Sequence, residues 1–237
     1  MPKYFFAPED KQGNEIFLQG ETAHHLLHVL RHKIGDKIIL CDGANTDYTT
    51  SITQISKKPT ITCLIEETRT CQTEPAVQIT LFQGLPKGDK LELIIQKCVE
   101  LGVTEVIPVL TSRSITKIKD AKKTERYQRI AESAAGQSMR GIIPTVHPTI
   151  TFAEAVKQIN GLTVVAYENE KTQTLKQTIT PSPNINIWIG PEGGFSQEEI
   201  DTLIKQGAAP VTLGARILRT ETAAIATVAQ VILLTNH

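Results

Sequence analysis

The chain lacks any excess of charge: 25 Lys and Arg balance 25 Asp and Glu, for a formal net charge of +0 at pH 7. A global positive field is thereby excluded, so an anionic partner must be met by a local patch. Cysteine is sparse, and the four present, Cys41, Cys63, Cys71 and Cys98, form no CxxC pair. That excludes a disulfide scaffold, argues against a structural zinc, and fits reduced thiols in a cytosol. The opening MPKYFFAPED carries no apolar signal core. Long hydrophobic runs are missing too; the most apolar, AAIATVAQVILL, is too short and too interrupted to span a bilayer. The expectation is a cytoplasmic protein with no membrane partner. There is no GxxxxGK[ST], no GxGxxG after the first strand of the α/β half, and no GxSxG. A P-loop, a dinucleotide site in its usual place and a nucleophile elbow are therefore set aside.

What is present is 237 residues, 40% hydrophobic and 21% charged, enough for one or two ordinary globular domains. Residues 1–70 read as a small β-rich domain. Short extended runs, YFF (Tyr4–Phe6), EIFL (Glu15–Leu18), KIIL (Lys37–Leu40) and ITCLI (Ile61–Ile65), are separated by turn residues. DGANTD (Asp42–Asp47) is a strong turn signal, and one helix, ETAHHLLHVLRH, interrupts the strands. TCQTEP (Thr70–Pro75) has no periodicity and reads as a linker.

Residues 76–237 alternate between the two periodicities. VQITLF, TEVIPVL, LTVVAY, INIWIG and VTLG are expected strands. GDKLELIIQKCVEL places Leu91, Ile94, Ile95, Cys98 and Leu101 at helical spacing, with Gly102 as its stop. A polar helix through Glu125–Ser138 follows. Thr151 with Glu154 forms a capping box for TFAEAVKQI; Ser196 with Glu199 forms another, with Phe195 and Ile200 as its staple. ETAAIATVAQVILL is the last helix. This alternation predicts an α/β domain with a mostly parallel sheet covered by helices.

Two pieces of this half carry the chemistry: IGPEGGFSQEEI (Ile189–Ile200) and LGARILRTETAA (Leu213–Ala224). Each is a strand end that opens through a glycine turn into a helix. Glycine lets a backbone approach a ligand closely, and helix N-terminal amides offer donors to it. GPEGG alone is an ordinary strand-to-helix turn; the pair reads as one ligand site.

Together with KGDKLELIIQKCVELGVTEVIPVLTSRS, AAGQSMRGIIPTV and HLLHVLRHKIGD, these motifs resemble the SPOUT class of S-adenosylmethionine-dependent RNA methyltransferases. Within it the chain is similar to the family that methylates N3 of a uridine in 16S ribosomal RNA of the small subunit. The resemblance implies a C-terminal trefoil knot behind a PUA-like RNA-binding domain, and a homodimer. It also implies a bent S-adenosylmethionine held by three loops: Ala166–Asn169, Gly190–Gly194 and Leu213–Glu221. The implied cofactor residues are Tyr167, Gly190, Pro191, Glu192, Gly193, Gly194, Leu213, Gly214, Ile217, Leu218 and Thr222. Leu213, Ile217 and Leu218 would form an apolar wall. Glu192 has two readings, a ligand hydrogen bond or support of the adjoining helix terminus.

Uridine N3 must lose a proton before it attacks, so negative charge spreads onto the base oxygens. Arg219, inside the last motif, is the favoured cation for that charge, ahead of Arg140 and Arg113, which read equally well as phosphate contacts. Glu221 either accepts the proton, orients Arg219 or merely begins the last helix. For RNA, Lys122 and Lys123 stand in a cluster with Lys117 and Lys119, and Arg31 and His24 lie on the N-terminal helix. His24 and His28 are four apart, but with no third ligand evident a metal is not expected. Two other readings stand beside this one: a non-catalytic RNA-binding factor on the same fold, and a methyltransferase acting on transfer RNA.

Overall fold

Residues 3–56, 60–114 and 121–235 are described by a computed structural model. The chain forms two units: the first runs to Glu74 and takes in Ala135–Ile143, and the second holds Pro75–Ala134 and continues from Pro144.

The first unit is built on a six-stranded sheet in the order β1-β4-β5-β6-β3-β2. Its strands are β1 (Lys3–Phe5), β2 (Lys11–Gln12), β3 (Glu15–Leu18), β4 (Lys37–Cys41), β5 (Thr46–Ile55) and β6 (Ile61–Thr70). β1 runs parallel to β4 and the other pairs are antiparallel. Alternate side chains turn inward, and Ile16, Leu18, Ile38, Leu40, Ile52 and Ile61 make the core with Leu26. Helix α1 (Gly20–His24) passes into a π turn at His25–Val29, so the expected helix ends early. His24 and Arg31 are both exposed, and the His24 and His28 rings lie 4.5 Å apart.

The expected linker is not a loose tether. Cys71 is buried, and Glu74 holds the Ala135–Ile143 segment. Lys3 Nζ pairs with Asp47 Oδ1 at 2.6 Å and donates to the Met139 carbonyl at 3.0 Å and to Cys71 Sγ at 3.2 Å. Burial alone would lower the Lys3 pKa, but its bonds to Asp47 and Cys71 carry it above the ordinary lysine value. All four thiols are free and buried, and burial pushes Cys41 up to about 12 and Cys63 to about 11. Such thiols are poor nucleophiles and act as packing groups.

The second unit is the α/β half. Its seven-stranded sheet has the order β10-β8-β7-β12-β11-β13, with β9 also on β8, and every pair is parallel. The strands are β7 (Gln78–Gly84), β8 (Glu105–Leu110), β9 (Thr145–Val146), β10 (Ile150–Thr151), β11 (Leu162–Ala166), β12 (Asn184–Ile189) and β13 (Ala209–Val211). Helices α2 (Lys90–Leu101), α3 (Ala121–Gln137), α4 (Phe152–Val156), α5 (Leu175–Thr178), α6 (Gln197–Lys205) and α7 (Thr220–Thr235) intervene. Gly102 ends α2 at φ 113°, and both capping boxes form as read.

Trp188 is fully buried and stacks on Phe82 at 4.4 Å, with Phe195 and Ile200 in the same cluster. Burial of side chains this large contributes roughly 1.5–3 kcal/mol each. The VTLG strand sits two residues earlier than expected, at Ala209–Val211. Its Pro210 is tolerated because β13 is an edge strand. The shift leaves residues 212–219 as a loop. Lys122 and Lys123 are exposed on α3, while Lys117 and Lys119 lie outside the described residues.

Candidate active site

Because β7, β12, β11 and β13 are parallel neighbours, their C-terminal ends lie along one edge of the sheet, where such folds bind ligands. The loops leaving those ends meet around a cavity of about 480 Å³. That volume falls within the range of small-molecule sites, about 300–1,000 Å³. Ala166, Tyr167 and Glu168 line it from the first loop, Gly190–Gly194 from the second, and Thr212–Arg219 from the third. Lys90 enters from the start of α2.

The cavity therefore brings together Tyr167, Gly190, Pro191, Glu192, Gly193, Gly194, Leu213, Gly214, Ile217, Leu218 and Arg219. Thr222 is not among its lining residues and is exposed. Glu221 is not among the lining residues either; its side chain is 16% exposed, and its Oε2 makes no hydrogen bond and lies 3.7 Å from the cavity-lining Lys90 Nζ. Ile217 is 89% exposed, so it stands at the rim rather than forming a closed wall.

A buried polar chain fixes the floor. Gln83 Nε2 donates to Thr220 Oγ1 at 2.9 Å, and Thr220 Oγ1 donates to the Gly190 carbonyl at 2.7 Å. This ties the end of β7, the start of α7 and the second loop to one another. Gly84 is required beside it, because a Cβ there would lie 2.5 Å from Pro191 Cδ. Glu199 reaches out of its capping box to Ser112, accepting from its amide at 2.8 Å and its hydroxyl at 3.1 Å. Arg113 Nη1 then donates to the Gly193 carbonyl at 2.8 Å. Neither Gln83 nor Thr220 was nominated from sequence; a Gln in the last turn of an apolar strand is the only signal they leave.

The glycines divide by physical cause. Gly194 has φ 67°, and a Cβ on it would meet Glu168 Oε1 at 2.8 Å. Gly214 has φ 107° with open space around it, so only its backbone demands glycine. At Gly193 a Cβ would press on the Arg113 stem at 3.3 Å, toward protein.

The charges at the rim are paired. Lys90 Nζ lies 2.7 Å from Glu192 Oε1 and 3.7 Å from Glu221 Oε2. Glu192 Oε1 also accepts the Lys87 amide at 3.2 Å, which ties the glycine loop to the segment before α2 and not to the adjoining helix α6. Burial pushes the Glu192 carboxyl up, but its bond from Lys90, backbone amides and the Lys90 charge hold it below the ordinary value. Glu170, in the first loop, accepts the Gln173 and Thr172 amides and drops to about 2.

Arg140 requires a correction. Expected at RNA phosphates, it is 2% exposed, with Nη2 donating to Glu74 Oε2 at 2.6 Å. A guanidinium so enclosed is structural. Among the described residues no group of three His, Cys, Asp or Glu is arranged to hold a metal. No helix among them is long and apolar enough to cross a membrane.

Residues 73–232 match the family model for an RNA methyltransferase domain, and residues 18–65 that for an RNA methyltransferase PUA domain. The Bacillus subtilis ribosomal RNA small subunit methyltransferase E is 35% identical, over 94% of this chain and 93% of its own length. The enzyme of that name from Synechocystis is 36% identical, over 95% and 75% respectively. The crystal structure of ribosomal RNA small subunit methyltransferase E from Neisseria gonorrhoeae, bound to S-adenosyl methionine, superposes with a TM-score of 0.90 at 34% identity, covering 99% of this chain and 98% of that one. A putative methyltransferase from Legionella pneumophila in complex with bound SAM gives a TM-score of 0.89 at 31% identity, covering 97% and 96%. With a SPOUT-type α/β half and a PUA-like β-rich unit, the chain belongs to the ribosomal RNA small subunit methyltransferase E family.

Proposed function

We propose that this protein transfers a methyl group from S-adenosylmethionine to N3 of a uridine in 16S ribosomal RNA of the small subunit. The observation that carries the reading is the convergence of the three motif loops and Arg219 on one cavity at the C-terminal edge of the sheet. The cavity fits the cofactor in size and chemistry. Its glycine turns expose main-chain groups, Leu213 and Leu218 give apolar cover, and Tyr167 is held in place by its bond to Gln197 at 2.9 Å. S-adenosylmethionine supplies an electrophilic methyl group when bound. The protein's part is to exclude water, orient the base and stabilise charge on the uracil oxygens as N3 loses its proton. Arg219 serves that charge, being exposed at the cavity and in no ion pair among the described residues. Glu221, half-buried in the first turn of α7, acts on the site through the neighbouring Lys90. Arg31, Lys122 and Lys123 are exposed cations suited to RNA phosphates, with His24 an exposed polar ring at the end of α1, and Arg113 braces the glycine loop.

Mass spectrometry of rRNA nucleosides from a deletion strain tests the assignment. The expected result is loss of 3-methyluridine from small-subunit rRNA, restored by the wild-type gene. Retention of that nucleoside, or a loss confined to transfer RNA, overturns it.

The glycine turns give a graded expectation. Gly194→Val should weaken cofactor binding most, because its φ of 67° strains any side chain and the Glu168 carboxylate at the cavity must swing aside. Gly214→Val should weaken binding through backbone strain alone, of order 1–3 kcal/mol. Gly193→Ala should cost least, since its backbone is not in the left-handed region and the contact with Arg113 Cβ, at 3.3 Å, is only slightly tight. Calorimetric titration beside circular dichroism checks the order; equal effects at all three positions would contradict this division.

We also propose that the protein works as a homodimer in the cytoplasm. Ala224, Val228 and Val231 bury one face of α7, yet Leu233 remains 73% exposed and Ile217 89% exposed. Apolar side chains this open are the material of an interface. Light scattering at micromolar concentration is expected to give twice the chain mass of 26.1 kDa. A monomer would refute the dimer.

A further inference from the structure

Lys90 was not singled out by the motifs, yet it occupies an unusual position. It is the first residue of α2, where a cation faces the positive end of the helix dipole. Helix stability does not explain a lysine there. Its ammonium instead sits between two carboxylates from different parts of the site, Glu192 of the glycine loop at 2.7 Å and Glu221 of α7 at 3.7 Å. Arg219 precedes Glu221 by two positions, and its charge also acts on Lys90. The charged side chains lining the cavity are Lys90, Glu168, Lys171, Glu192, Arg216 and Arg219, and Lys90 is the one paired with both Glu192 and the neighbouring Glu221.

We propose that Lys90 is a positioning residue for methyl transfer: by occupying Glu192 and Glu221 it keeps the Arg219 guanidinium uncommitted and available to the substrate. The proposal rests on the function proposed above. Its physical basis is competition. An arginine beside an unpaired carboxylate forms short, often bidentate, charge-assisted bonds. Glu221 Oε2 makes no hydrogen bond, so with Lys90 gone its carboxylate, two positions from Arg219, is left without a charge partner. A guanidinium captured there is neutralised before the reaction begins and must be pulled free as charge develops on the uracil oxygens. The loss falls on the chemical step, because the lost interaction is one made mainly in the transition state.

The sign of a double substitution distinguishes this role from a merely structural one. Single-turnover methylation of small-subunit rRNA at saturating substrates is compared for wild type, Lys90→Met, Lys90→Arg, and Lys90→Met combined with Glu221→Gln. Lys90→Met is expected to slow the step by about tenfold or more, with S-adenosylmethionine affinity within about threefold by calorimetry. Lys90→Arg keeps both carboxylates occupied and retains most of the rate. The double variant, which deletes the captor as well, is expected to recover about fivefold over Lys90→Met, a coupling that additive structural damage does not produce. A double variant as slow as Lys90→Met overturns the proposal, as does Lys90→Arg falling with Lys90→Met, or a loss that appears in cofactor affinity instead of rate. Should Lys90→Met melt early, Lys90→Gln carries the same comparison. A wild-type protein that methylates no small-subunit rRNA overturns the proposed reaction itself, and this role with it.

Discussion

Arg219→Ala is expected to slow methyl transfer at saturating substrates by about 10²–10³-fold, the usual loss when one donor to a developing oxyanion is removed. Affinity for S-adenosylmethionine and for RNA should change little. The charge that Arg219 stabilises does not exist in the ground state; it appears on the base oxygens only as N3 gives up its proton. An interaction of that kind is read in turnover and not in binding. The structure sharpens the expectation by contrast with the other arginines singled out from sequence. Arg113 is spent on the Gly193 carbonyl and Arg140 on Glu74, whereas Arg219 is exposed at the cavity. The paired control is Lys122→Ala with Lys123→Ala on α3, which should weaken RNA binding and flatten its dependence on salt, leaving the saturated rate intact. Single-turnover kinetics with titrations at several salt concentrations separates the two. If Arg219→Ala methylates at the wild-type rate once saturated, Arg219 is a binding residue.

The site was legible in sequence to the extent that its chemistry is local. GPEGG and LGARILRTETA could be placed at strand ends because glycine turns and capping boxes are written in a few adjacent residues, and parallel strands bring such ends to one edge whatever their separation in the chain. The helices were legible for the same reason: α2 declares itself by five apolar positions and a terminal glycine. What escaped was non-local. β5 carries no alternating signal because TDYTTSITQI buries Asp47 and Thr50, polar residues made acceptable by Lys3, with Arg69 nearby, and by the Ile38 carbonyl. β13 lies two residues before the expected VTLG strand because VTLG looks more strand-like than a proline-containing edge. Gln83 and Thr220 hold the cavity floor through bonds to one another across 137 positions, which no window of sequence contains. Lys90 and Glu221 likewise gain meaning only from their proximity. Arg140 was misjudged by the same blindness, since an arginine beside a glycine reads as surface until its carboxylate is known.

That carboxylate sets the last expectation. Arg140→Ala should destabilise the protein by about 3–5 kcal/mol, the usual cost of removing one partner from a buried ion pair. Native stabilities are only about 5–15 kcal/mol, so the melting midpoint should fall by many degrees. The guanidinium is 2% exposed, so water offers it no substitute partner, while the Glu74 side chain is 11% exposed. Arg140 Nε donates to both Glu74 oxygens at 3.2 and 3.3 Å, and Nη2 donates to Oε2 at 2.6 Å. Glu74 Oε1 also accepts the amides of Gly141 at 2.8 Å and Ile142 at 3.2 Å. Without the arginine, the half-buried Glu74 carboxylate loses its charge partner and keeps those two amides, while a cavity opens where the side chain stood. Close packing leaves no slack for repair: a Cβ on Gly141 would lie 2.3 Å from Asn45 Oδ1, and Asn45 itself donates from its amide to the Gly141 carbonyl at 2.9 Å. Arg140→Lys should lose less, because a lysine keeps the charge but not the fork of donors. Urea denaturation of both variants, beside RNA binding at several salt concentrations, decides between structure and phosphate contact. A stable Arg140→Ala with weakened, less salt-sensitive RNA binding would return Arg140 to the RNA surface.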